Sequence, residues 1–201
     1  MAERISSREV NAELRALVWP ALRELGFTDR TQRVAWKDYP DTVAVVDFWS
    51  FNSYTAATMG VTTFSFQLNL GIRVRCSSNG AEFVKVRDGT LRPKEPECDV
   101  RRVLWKTIQQ PETELPYIWY VREDGSNVRE VVEDARLVLL TDGMMWIDEF
   151  SELARIVAFA ENEPEEWDAK GTRITGTWGL GRLGCPVRAN LIADIRQAAA
   201  H

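Results

Sequence analysis

The side chains able to do chemistry are few, and their spacing excludes much. The single histidine, His201, is the last residue. Catalytic triads, Cys-His pairs, proton shuttles and histidine-ligated metals all draw on an imidazole held inside a fold, and a chain end is poorly placed to supply one. Cys76, Cys98 and Cys185 stand 22 and 87 positions apart without a CxxC pair, so no zinc ribbon or redox motif is written. Acid pairs are the conventional machinery that remains. Asp148 or Glu149 set against Glu165 or Glu166 has the composition of a glycosidase pair or a magnesium site. Neighbouring acids on a helix point in different directions, however, and the spacing demands neither reading. No catalytic residue, metal ligand or cofactor is therefore assigned.

Binding chemistry is better represented. Gly179, Gly181 and Gly184 spell G-x-G-x-x-G between a strand-like run, Arg173 to Trp178, and a helix. Only 17 residues follow Gly184, so the second parallel strand and ribose-binding acid of a dinucleotide fold have no room. A smaller anion site remains open, with backbone amides at Gly181 and the side chains of Arg182 and Arg188 at a helix start, beside the plainer reading of a closely packed turn. Gln67, Asn69, Arg73 and Arg75 share the polar side of an alternating strand around Gly71. That glycine marks either a bulge or the close approach of another backbone, and in the latter case the four polar residues form a ligand-binding face. Cys98 beside Arg101 and Arg102 reads as a buried thiol among ion-paired arginines, or as a thiolate stabilised by them. Eight tryptophans suit a core; they also suit an aromatic-lined pocket for a flat ligand, or an interface.

Charge points towards a protein partner. The 30 acids outnumber the 25 bases, and nine acids against one base lie between Asp142 and Asp168. Such a run is either a solvated helix face or a field that attracts a basic protein surface while repelling nucleic-acid phosphates. On the second reading Asp148, Glu149, Glu152, Glu165 and Glu166 meet the partner.

These residues need elements to position them. Residues 6 to 26 form an amphipathic helix through Val10, Leu14, Leu17, Val18, Ala21, Leu22 and Leu25, opened by a Ser6-Glu9 capping box, kinked near Trp19 by Pro20 and closed at Gly26. Strands at 32 to 38 and 42 to 51 flank the turn Tyr39-Pro40-Asp41. Phe64 to Cys76 alternates strictly, and Glu82 to Arg87 reads as a fourth strand returning beside it. Pro93 and Pro96 mark a connector, and Cys98 to Ile108 suits a strand or a short helix. Ser126 is placed to cap a helix over 127 to 140; further helices are expected over about 144 to 161 and from Pro186 to Ala199. Strands followed by helices imply one α+β domain over 1 to 201: an antiparallel sheet of about four to five strands with helices packed on one face, the N-terminal helix and sheet in 1 to 108 and the helical cover in 109 to 201. No run of 18 apolar residues and no N-terminal apolar segment is present, so a cytoplasmic protein with no membrane partner is expected.

Three segments, Leu25-Gly26-Phe27, Phe64-Ser65-Phe66-Gln67-Leu68-Asn69-Leu70-Gly71-Ile72 and Pro96-Glu97-Cys98-Asp99-Val100-Arg101-Arg102, make the chain similar to the bacterial family called domain of unknown function 4304. The resemblance covers roughly the first 105 residues, with a weaker continuation, and Pro20 and the glycine-rich tail fall outside it. That family implies no catalytic residues. The expectation is a soluble bacterial binding protein, non-catalytic, that recognises a protein through its acidic helical surface in an immunity-like or adaptor role; the alternative is a small-molecule or anion-binding module, conceivably a histidine-free enzyme.

Overall fold

The computed structural model describes residues 6–79, 83–86, 89–162, 172–174 and 184–200. It is an α+β fold built on one antiparallel sheet with strand order β1-β2-β3-β4-β7-β8, and a separate two-stranded ribbon, β5-β6. The strands are β1 (Asp29–Arg30), β2 (Val34–Asp38), β3 (Thr42–Ser50), β4 (Phe66–Val74), β5 (Phe83–Lys85), β6 (Leu91–Pro93), β7 (Val100–Val103) and β8 (Thr172–Ile174).

The first helix begins as its sequence dictates. Ser6 and Glu9 close the capping box ahead of α1 (Ser7–Glu13). Pro20 cannot donate an amide hydrogen and its ring crowds the preceding turn. The chain accommodates it by widening Leu14–Val18 into a π turn, in which the Trp19 amide reaches the Leu14 carbonyl, before α2 (Trp19–Glu24) resumes.

Alternation then sorts the sheet. Ala44, Val46, Phe48, Phe66, Leu68, Leu70, Ile72 and Val74 are all fully buried on one face. Against it pack α1, α2, α4 (Val128–Val138), α5 (Met144–Phe150) and α6 (Leu153–Asn162), contributing Val10, Leu14, Val131, Leu139, Ile147 and Ile156 to a single core. The last helix, α7 (Gly184–Ala198), adds Leu191 and Ile195.

Several local expectations give way to tertiary contacts. The fourth strand does not return beside β4, because β7 occupies that edge from Asn69↔Val103 to Ile72↔Val100; Phe83–Lys85 turns back at Gly89, with φ +92°, and pairs with Leu91–Pro93. The ambiguous stretch after Cys98 is thus a strand. Ser126 does not cap α4: Asn127 sits at that position, its side chain accepting from the Arg122 amide and donating to the Tyr120 carbonyl. No break separates α4 from α5. A π turn, Leu139–Gly143, carries the helix onward, and a methyl group at Gly143 would lie 3.1 Å from Leu104 and Leu139 carbons. The break falls later, at Ser151–Glu152, where Thr42 of β3 donates to the Ser151 carbonyl at 3.2 Å. A short helix, α3 (Ser53–Met59), capped by Asn52 and ended by Gly60 at φ +66°, has no counterpart in the sequence reading. Among the described residues no helix is long and apolar enough to cross a membrane.

Candidate functional site

The other face of the sheet is built from the alternate residues. Reading across β3, β4 and β7, its rows are Val45–Gly71–Arg101, then Asp47–Asn69–Val103. The ladder reaches one step further, where the Leu104 amide donates to the Leu68 carbonyl at 2.9 Å, before Trp119 takes over this edge of β4 at Phe66; Trp49 pairs with Gln67, and Trp105 is the residue that follows the last ladder contact.

The upper part of this face is roofed by the segment that leads into β7. Gly71 lies in regular register, so it is no bulge: a methyl group there would stand 2.6 Å from the Cys98 sulfur and 3.4 Å from the Glu95 carbonyl oxygen. The glycine is the floor on which Cys98 rests. Burial raises that thiol well above its ordinary range, so the arginine-stabilised thiolate is not what these residues make. Asp99, 1% exposed, ties the roof down by accepting from Arg73 at 3.2 Å, the Val74 amide at 2.8 Å, Ser77 at 2.7 Å and Asn79 at 3.1 Å. Glu95 accepts two parallel hydrogen bonds from Arg101, at 2.7 and 2.8 Å.

The polar strand residues therefore part company. Arg73 is buried and fully engaged with Asp99 and the carbonyls of Ser77 and Asn79, and Arg75 pairs with Asp38, so neither is a free anion ligand. Gln67 and Asn69 face the unroofed end. Gly181 and Arg182 and the side chain of Arg188 lie outside the described residues, as do Glu165 and Glu166.

At that end the groups have unmet capacity. Asp47 and Asn69 are cross-strand partners, 9% and 6% exposed. Among the described residues the Asn69 Oδ1 is buried without a partner and the Asp47 side chain makes no hydrogen bond. Burial, then the negative Glu95, push Asp47 up to about 7 against the opposing pull of Arg101 and Arg33. Arg33, on the turn before β2, is brought down to about 10 by burial, and both its Nη atoms lack partners among the described residues. In front stand two exposed indoles, Trp49 at 39% and Trp105 at 50%; Trp49 meets Phe51 edge-on at 5.0 Å. Buried polar groups are ordinarily satisfied, and large aromatics ordinarily buried. Both rules lapse together at the unroofed end, where two acceptors and two indoles are involved, and this makes it the candidate site.

The acidic helical surface is less bare than its composition. Asp142 pairs with Arg102, Glu149 with Arg155 and Glu161 with Arg196, and Asp148 accepts from the Tyr39 hydroxyl at 3.0 Å. Glu152 is exposed and has no ion pair among the described residues. Among the described residues no group of three or more His, Cys, Asp or Glu is arranged to hold a metal ion.

Asp47, Trp49, Trp105 and Arg33 were not singled out by the sequence reading as site residues. One signal was available: a single carboxylate inside the apolar run Val43-Ala44-Val45-Val46-Asp47-Phe48-Trp49. Comparison with family models, with curated proteins and with solved structures finds no match to this chain.

Proposed function

We propose that this protein is a non-catalytic binding module for a small, flat ligand, held at the unroofed end of the sheet between Trp49 and Trp105. The observation that carries this reading is a pair of exposed indoles, Trp49 opposite Gln67 and Trp105 just past the last ladder contact, near two nine-tenths-buried polar groups, Asp47 and Asn69, whose side chains have no hydrogen-bond partners among the described residues. Adjacent strands lie about 4.8 Å apart, so side chains two strands apart rise about 10 Å from one another. A flat ring stacked on both indoles needs them about 7 Å apart, a gap that two such long side chains reach by leaning toward each other. The polar residues behind fix orientation, which is the usual division of labour in a small-molecule site. Resemblance to domain of unknown function 4304 belongs to the same proposal and brings no catalytic residue with it.

The test is calorimetric titration of the intact protein with flat heterocycles at pH 8, repeated with Trp49→Leu and Trp105→Leu. Binding that weakens by at least about tenfold in both variants supports the reading. Affinity unaltered by both variants refutes it.

A second reading, recognition of a basic protein through the helical cover, draws on Leu137 and Met145. They are 55% and 67% exposed on the continuous α4–α5 helix, with Glu149 and Glu152 following. Charge reversal at Asp148, Glu149 and Glu152 is expected to slow association with such a partner and flatten its salt dependence. A partner captured from the host that binds the reversed protein at an unchanged rate overturns it.

A further inference from the structure

Resting on the flat-ligand reading, we infer that the ring held between Trp49 and Trp105 carries two adjacent N–H donors on one edge, a ring N–H beside an exocyclic amino group as in guanine or a 2-amino-4-oxopteridine, which it directs at Asp47 and Asn69.

Three observations select this edge. The vacant groups at the back of the site are acceptors. Among the described residues the Asp47 carboxylate has no donor and the buried Asn69 Oδ1 has none either, and the two are direct cross-strand neighbours. A ring N–H and an adjacent amino group present parallel donors at the spacing of a carboxylate's two oxygens, the geometry that makes fork-like pairs strong. Charge balance is the second observation. Glu95 is neutralised by its two bonds to Arg101, and Arg33 is close enough for Asp47 to feel its charge. With Asp47 ionised, the four groups sum to zero, so the site calls for a neutral donor rather than an ammonium cation, whose charge would be buried without compensation. The third is the pair of exposed indoles, Trp49 and Trp105, whose flat faces favour a planar ring. A sugar ring meets the hydrogen-bonding demand but is thicker and covers only one indole at a time.

The titratable and charged groups facing Asp47 are Glu95 from the roof, Arg101 from β7 and Arg33 from the turn before β2. The ionised carboxylate accepts the ring N–H and one amino hydrogen, leaving the second amino hydrogen for the Asn69 Oδ1; a protonated carboxyl cannot accept both, so affinity should rise with pH through the neutral range and level off above it.

Calorimetry with guanosine, adenosine and methyl glucoside at pH 8 decides the matter, with the wild-type protein and Asp47→Asn. Guanosine is expected to bind, and adenosine, the same flat purine with an acceptor nitrogen at the matching edge, to bind at least about tenfold more weakly. Asp47→Asn should weaken guanosine by about ten- to a hundredfold, the loss of a charge-assisted pair, and reduce the preference over adenosine; its melting temperature at pH 8, no lower than wild type, shows that the fold is intact. Equal affinities for the two purines overturn this inference and leave the flat-ligand reading standing. Binding of methyl glucoside without either purine, or of none of the three, overturns both.

Discussion

The two faces of the central sheet follow different rules. On the helical face the β4 residues Phe66, Leu68, Leu70, Ile72 and Val74 are buried hydrocarbons, matched from β3 by Phe48, Val46 and Ala44 in the middle with Ser50 and Thr42 at the two margins, and covered by the helices above. On the other face the same strands carry Asp47, Asn69, Arg73 and Arg101 behind a thin roof of ribbon and connector, and the cover stops short of Trp49 and Trp105. A hydrophobic face specifies a fold and tolerates shape-conserving change. A buried polar face stabilises only when every group is paired, and the unroofed end is where pairing stops. That contrast separates what holds this molecule together from what is left for it to do.

The roofed portion gives the largest expected effect. Asp99→Ala removes four hydrogen bonds and leaves Arg73, 8% exposed, without its carboxylate. An orphaned buried charge costs about 3–5 kcal/mol, which urea denaturation would register as a lower midpoint. A change below about 1 kcal/mol would mean the roof is not anchored there, and the two faces would differ less than described. Next is Gly71→Ala. Its new methyl would overlap Cys98, and overpacking of this kind costs about 1–3 kcal/mol. Cys98→Gly in the same chain should restore much of the loss, since the clash is with that side chain; no recovery would place the crowding in the backbone instead.

Much of this was legible in the residues. The capping box, the β2–β3 hairpin, the alternating β4 and the α+β class follow from local pattern, because each depends on neighbours a few positions apart. Positions set by partners far along the chain were not. Gly71 reads as either a bulge or a close approach until Cys98, 27 positions on, is seen resting upon it. Phe83–Lys85 has the composition of a sheet strand, but β7 already occupies the edge it would need. The acidic run looks like a continuous field because the arginines that answer it, Arg102 and Arg196, lie outside that stretch of sequence. Gln67 and Asn69 were visible as a polar face; Asp47 and the two indoles join them only through register.

Asp47 sharpens the comparison by its sign. Burial raises its folded-state value to about 7, so between the unfolded value near 4 and about 7 the native state holds a proton that the unfolded chain has lost. Stability from this group is therefore complete at acid pH and falls as pH rises through that window. Asp47→Asn removes the penalty and should stabilise the protein above pH 7, by no more than about 4 kcal/mol, with the advantage vanishing below pH 4. Thermal melts of both proteins across pH 4 to 8 check this. A variant less stable than wild type at pH 8 would show the carboxylate to be structurally paired, on a par with Asp99.

Trp105 gives the smallest effect, and the most informative. Half its surface is in water, it stands just beyond the end of β7, and it meets no other ring among the described residues. On the helical face, Trp119 is fully buried, stacks on Phe66 at 5.8 Å and donates to Asp134 at 2.8 Å; removing that indole should cost about 3–5 kcal/mol. Trp105→Ala should cost less than about 1 kcal/mol, the range of surface changes that break no packed contact. Paired urea titrations of the two variants measure the gap directly. If Trp105→Ala destabilised the fold as much as Trp119→Ala, the indole would be part of the roof and the site between it and Trp49 would not exist. A stable Trp105→Ala protein that has lost ligand binding would instead show an aromatic kept at the surface at no benefit to the fold, as the contrast between the faces requires.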